Sequence, residues 1–201
     1  MIYFNNRSKS GWIFVAAMLI LMATLQLLDI RQLRYQPNWW VDSEYWRGFS
    51  AHWVHANWKH FLLNATGLIL CMTLALPAWS IWRWIACNLY LALGISILFT
   101  LRNPELHWYV GYSGVLFGIY LLAAVDLYPR DKTIALLLGA AIVIKVVLEQ
   151  SGDTTLTSSG LIGVPVIIDA HLYGLLLGLS IALAQRVYTI WIKRDNANAS
   201  A

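Results

Sequence analysis

The sequence predicts an all-α, polytopic membrane protein, one compact domain over residues 1–201 built as a bundle of six transmembrane helices. Three observations carry that prediction. Of 201 residues, 59% are hydrophobic and only 12% charged, with mean hydropathy +0.60, whereas a soluble domain carries about a quarter charged residues. The apolar residues fall in six long blocks, the pattern of membrane spans. The chain's eleven tryptophans gather largely near block ends (Trp12, Trp39, Trp40, Trp53, Trp58, Trp79, Trp82, Trp108, Trp191), as in an interfacial aromatic belt.

The first block, Gly11–Leu28, follows Arg7 and Lys9 and superficially resembles a signal peptide. Five further blocks follow and no small-x-small cleavage site is evident, so it is read as a retained first helix. The second, third, fifth and sixth blocks run Trp58–Leu76, Ile81–Thr100, Lys132–Leu148 and Val166–Trp191. These are near the ~20 residues that cross roughly 30 Å of hydrocarbon. The fourth, Ser113–Val125, is too short. Ser113 lies 13 residues before Asp126, which places it roughly 20 Å above an inner boundary marked by Asp126 and about 10 Å below the outer surface. A short, glycine-flanked span is a pointer to a functional site.

Arginine and lysine set the orientation. With the N-terminus inside, the inner segments hold Arg7, Lys9, Arg83, Arg130, Lys132, Arg186, Lys193 and Arg194. The outer ones hold Arg31, Arg34, Arg47, Lys59 and Arg102. This bias favours both termini inside and an even number of spans. A net charge of +4, dispersed at span ends, gives no reason to expect nucleic acid. Cys71 and Cys87 lie inside apolar blocks without C-x-x-C spacing and read as packing residues. The outer loop at 29–57 is rich in Trp, Arg and His and is expected to pack at the membrane interface. The loop at 150–165, rich in Ser, Thr and Gly, is expected to be mobile. Lys145 and Glu149, four apart, read as an intrahelical pair with a snorkelling lysine.

Two groups carry the chemistry. Ser113 stands in Gly111-Tyr112-Ser113-Gly114 at the head of the short block, and His171 in Ala170-His171-Leu172-Tyr173-Gly174 in the last. A serine hydroxyl is a weak nucleophile until a base takes its proton. Gly114 and Gly118 form one row of small residues, Ala170, Gly174 and Gly178 another, and such rows let helix backbones approach closely. The soluble nucleophile elbow is excluded, because it wants glycine two after the serine and Val115 stands there. Asp169, two before His171, points to another helix face and reads as a polar cap. The expectation is therefore a Ser–His dyad. Oxyanion donors are expected from His60 and Asn64, which share a helix face, and from the Ser113 N–H, with His55 nearby. His52, His55 and His60 lack a suitably spaced carboxylate and H-E-x-x-H, so no metal and no cofactor is expected.

These residues resemble the rhomboid family of intramembrane serine proteases over most of the six-helix core. Glu44-Tyr45-Trp46-Arg47 with the following His55 resembles its first-loop Trp-Arg element. His55, His60 and Asn64 resemble its H-x4-H-x3-N pattern, Gly111-Tyr112-Ser113-Gly114 its G-x-S-G nucleophile, and Ala170 to Gly178 its A-H-x-x-G-x-x-x-G base helix. The resemblance implies Ser113 as nucleophile and His171 as general base. It implies His60, Asn64 and the serine N–H as oxyanion stabilisers, with His55, Gly111 and Gly114 supporting the site. Many rhomboids carry Tyr four after the serine, stacked on the base; Phe117 here keeps a ring but not the hydroxyl, leaving the positioning of His171 open.

The compact chain and its A-H-L-Y-G string are similar to the rhombosortase branch, associated with membrane proteins bearing C-terminal Gly-Gly anchor segments. On that likeness the substrates are transmembrane proteins in the bilayer. The chain is expected in a bacterial inner membrane, with cytoplasmic termini and an active site open to the periplasmic side. Two other classes were open. One is a catalytically inactive rhomboid-like protein that binds or escorts membrane clients, although such proteins typically lack the serine or the histidine. The other is a small transporter, which would show paired broken helices from an internal repeat, and none is visible.

Overall fold

The computed structural model describes residues 6–74, 79–152 and 158–199. Each apolar block forms one helix, because a backbone in hydrocarbon must satisfy its polar groups within its own segment. Helix α1 runs Asn6–Leu25. The first loop contains two single turns, α2 (Ile30–Leu33) and α3 (Arg47–Ser50). Then follow α4 (Trp58–Leu74), α5 (Ile81–Arg102), α6 (Ser113–Leu127) and α7 (Lys132–Gln150). A third short turn, α8 (Ser159–Ile162), precedes the long α9 (Asp169–Ala199).

Among the described residues, three segments are long and apolar enough to cross a membrane: Ile81–Arg102, Lys132–Gln150 and Asp169–Ile192. Lys9–Leu25 and Ser113–Leu127 are apolar but shorter. The first block was expected to run on to Leu28. Its helix ends at Leu25 instead, because Gln26 is drawn sideways: its amide donates to His55 O at 2.9 Å and accepts from His55 N at 3.1 Å. Residues 75 and 76 of the second block lie outside the described residues.

The middle of the bundle is α6. Its inward residues Val115, Ile119, Leu122 and Ala123 are inaccessible. Helix α9 packs against it backbone to backbone. A Cβ on Gly118 would meet Gly174 O at 2.8 Å, one on Gly178 would meet Gly118 O at 2.8 Å, and one on Gly174 would overlap the Gly114 carbonyl. Only hydrogen fits at these positions. Outward, α7 and α9 present Leu136, Leu137, Ile144, Val147, Leu176, Leu183 and Val187 to the surroundings, the lipid-facing dress of membrane helices.

At one end of the bundle, Asp126 accepts from Trp79 Nε1 at 2.6 Å and pairs with Arg83 at 2.7 Å. At the opposite end, Asp169 does more than cap α9. It accepts from Asn103 Nδ2 at 2.6 Å and Gln150 Nε2 at 3.3 Å, so one carboxylate ties the ends of α5, α7 and α9.

Arg47 is buried and fastens the first loop: it donates to Glu44 Oε2 at 2.6 Å and to the carbonyls of Arg31 and Arg34 at 2.8 and 3.0 Å. A backbone bridge between Tyr35 and Tyr109 then ties that loop to the strand-like approach to α6. In the last loop, 153–157 lie outside the described residues. Beyond them α8 buries Ile162, whose carbonyl accepts from Asn57 Nδ2 at 2.7 Å.

Candidate active site

Ser113 is the first residue of α6, and its placement follows from the chain before it. Gly111 has φ +126°, a conformation open to glycine alone. Its N–H donates to Ala51 O at 2.9 Å and its carbonyl accepts from Tyr109 OH at 2.6 Å. The sharp turn sets Ser113 at the head of α6. The first intrahelical bond of α6 runs from Leu116 N to Tyr112 O, so the Ser113 amide sits among the unbonded donors of a helix N-terminus, where partial positive charge gathers.

His171 is the third residue of α9, almost fully buried. Its Nε2 is 2.9 Å from Ser113 Oγ. Its ring stacks on Phe117 with centroids 4.2 Å apart and planes 10° from parallel. The ring at 117 therefore flanks the imidazole without the hydroxyl. On the other side, His171 Nδ1 is 2.7 Å from Glu149 Oε2. The sequence reading of a two-membered site omitted this carboxylate. Glu149 does pair with Lys145, Nζ to Oε1 at 2.7 Å, but it is also inaccessible and turned towards α9. A carboxylate only accepts, so the ring proton of neutral His171 is assigned to Nδ1 and the Nε2 lone pair faces the serine hydroxyl.

The expected support residues gather nearby in part. His60 and Ser113 line the same cavity of about 290 Å³, walled by 105–110 on one side and by Ile162 and 164–167 on the other. The His60 ring lies against the Cα of Gly111, where a Cβ would stand 2.6 Å from Cε1. The His60 backbone N–H donates to Asn57 Oδ1 at 3.0 Å, and the ring Nδ1 has no partner. Asn64 is buried with its Nδ2 unpartnered, and it is not in the cavity wall. His55 meets His60 edge-on at 5.0 Å and Phe61 at 5.7 Å. Burial, with a smaller push from His60, takes His55 down to about 3, so it is neutral at physiological pH. Gly114 contributes closeness: a Cβ there would meet Ala170 O at 2.8 Å. His52 stands apart, bonded to Ser96 Oγ at 3.0 Å. Among the described residues, no group of three or more His, Cys, Asp and Glu side chains is arranged to hold a metal.

A hydroxyl joined to a buried imidazole at the head of a short helix, inside an apolar bundle and open to a cavity, is an arrangement suited to serine-hydrolase chemistry in a membrane. A model of the Rhomboid domain matches residues 42–187, which is 146 of the 201 residues. The chain belongs to the rhomboid family, whose members are intramembrane serine proteases. It is accordingly an integral membrane protein of a family that acts on membrane-protein substrates in the lipid bilayer. No curated protein matches the chain.

Proposed function

We propose that this protein is an intramembrane serine endopeptidase that cuts the transmembrane anchors of membrane-tethered proteins, with Ser113 as nucleophile and His171 as general base. The observation that supports it is the 2.9 Å approach of His171 Nε2 to Ser113 Oγ, with Ser113 lining a cavity of about 290 Å³. His171 Nε2 takes the hydroxyl proton as Oγ bonds to the scissile carbonyl carbon. The carbonyl oxygen becomes an oxyanion, facing the Ser113 amide and His60. The Nε2 proton then passes to the leaving nitrogen as the C–N bond breaks. Water resolves the acyl-enzyme by the same steps in reverse order, or an amine does so in a transfer. Asn64 and His55 support the donors, and Gly111 and Gly114 allow the backbone approach.

The finer reading follows from the A-H-L-Y-G string: rhombosortase-like removal of C-terminal Gly-Gly anchor segments. It includes six spans in one domain over 1–201, cytoplasmic termini, and a site facing the periplasmic side of a bacterial inner membrane. Ser113→Ala and His171→Ala are each expected to abolish cleavage of a co-expressed Gly-Gly-anchored membrane protein while the purified variants keep their helical circular dichroism. A fluorophosphonate should label the wild type at Ser113 and neither variant. A folded wild type that resists labelling and leaves every anchor intact would favour a rhomboid-like binder of membrane clients.

A further inference from the structure

Glu149 is a buried carboxylate that the steps above leave without a part. It is inaccessible in a helix whose neighbouring face meets lipid, and an ionisable group at such depth is costly unless paired. Both its oxygens are used. Oε1 accepts from Lys145 Nζ at 2.7 Å, and Oε2 faces His171 Nδ1 at 2.7 Å. The Lys145–Glu149 pair is neutral overall, so the carboxylate is retained within the bundle while one oxygen stays directed at the imidazole.

We propose that Glu149 is a positioning residue of the proteolytic reaction, completing a Ser113–His171–Glu149 triad; this role rests on the hydrolase reading above. Accepting the Nδ1 proton fixes one tautomer and one ring orientation, the pair that leaves the Nε2 lone pair on the serine hydroxyl. When Nε2 takes the Ser113 proton, the ring becomes an imidazolium with both nitrogens protonated. Its Nδ1–H then points at a full negative charge in a poorly screened interior. The proton stays on Nδ1 throughout, and the one on Nε2 is passed to the leaving nitrogen as the C–N bond breaks. Phe117 holds the ring plane from one face, but a stack does not select a tautomer. Glu149 does.

The alternative is a latch that only joins α7 to α9. The two are separated by the rate of fluorophosphonate labelling at Ser113 in purified, lipid-reconstituted protein. Glu149→Gln keeps shape and volume, yet its amide can donate to Nδ1 and hold the opposite tautomer. The expected result is a fall in the maximal labelling rate on the order of a hundredfold or more, with the half-saturating probe concentration changed by less than about threefold. Glu149→Asp is expected to recover part of the rate. Wild-type labelling by a folded Glu149→Gln protein would overturn the triad. A measurement that does not depend on the variant's folding uses the Ser113→Ala protein with nitrogen-labelled histidine. Its spectrum should contain a strongly deshielded Nδ1–H signal that disappears in His171→Ala, and a His171 protonated only at Nε2 would also overturn the proposal. Labelling that persists in Ser113→Ala would instead sink the hydrolase reading.

Discussion

At the scale of single residues, the site depends on how one imidazole is held. Phe117 stacks on His171 at 4.2 Å, and such a pair adds about 0.5–1.5 kcal/mol beyond area burial. If that energy holds the ring in its reactive pose, Phe117→Ala should slow cleavage by roughly three- to tenfold without blocking expression. Phe117→Tyr should retain the rate, since the ring remains. Turnover on a Gly-Gly anchor peptide checks both, and an unchanged rate in Phe117→Ala would mean that other contacts position the base. Ser113 and His171 were legible in the sequence because their neighbours are glycines and small residues at helical spacing. Glu149 was not. Lys145, four residues before it, explains it locally, and the 2.7 Å approach to His171 crosses a loop whose path no periodicity records.

At the scale of elements, two devices place those residues. The first is the close pairing of α6 and α9, where Gly174 faces the Gly114 carbonyl without room for a methyl group. Gly174→Ala should push the helices apart, lengthen the Ser113–His171 bond beyond hydrogen-bonding distance and abolish fluorophosphonate labelling. Gly139→Ala is the control, because its Cβ would meet only Ala124 Cβ at an ordinary 3.8 Å. The small-residue spacing made this pairing readable. The second device is the first loop, where composition signalled only an interfacial segment. What orders it is the Arg47 guanidinium serving three acceptors at once, a convergence of distant carbonyls that no local pattern shows. Arg47→Met should leave those carbonyls unmet and cost about 2–3 kcal/mol. The Arg47 hydrogen bond also holds the Glu44 carboxyl below the usual glutamate range. The sign follows directly: the folded group binds its proton less readily than the unfolded one, so its stabilisation is complete at neutral pH. It is lost as pH falls below the ordinary glutamate range and through the folded value. Thermal melts in detergent at about pH 7 and pH 3 should therefore differ more for the wild type than for Arg47→Met.

At the scale of the whole molecule, fold class was legible because the solvent imposes it: long apolar blocks must be helices in hydrocarbon. Span lengths were less so, since Gln26 and Asp169 bond sideways to other elements and fix helix ends by tertiary contact. Charge supplies the remaining coordinate, orientation. Arg83, Asp126 and Trp79 gather at one end of the bundle, while Ser113, Glu149 and His171 gather towards the other, at the N-termini of α6 and α9 and the C-terminus of α7. If the basic bias orients the bundle with its termini inside, the first group faces the cytoplasm and the serine opens outward. Single cysteines test this against a background in which native Cys71 and Cys87 are both buried. Cysteine in place of Trp40 or Gly160 should react with a membrane-impermeant maleimide on intact cells. Cysteine in place of Asp131 or Arg186 should react only after permeabilisation. Ser113→Cys belongs to a third class. With that orientation it would lie about 10 Å below the outer surface on a cavity of about 290 Å³, so a small charged thiosulfonate should reach it from outside while a bulky maleimide should not. Labelling of Ser113→Cys only after permeabilisation would invert the topology, and no labelling by either reagent would mean that water does not reach the serine.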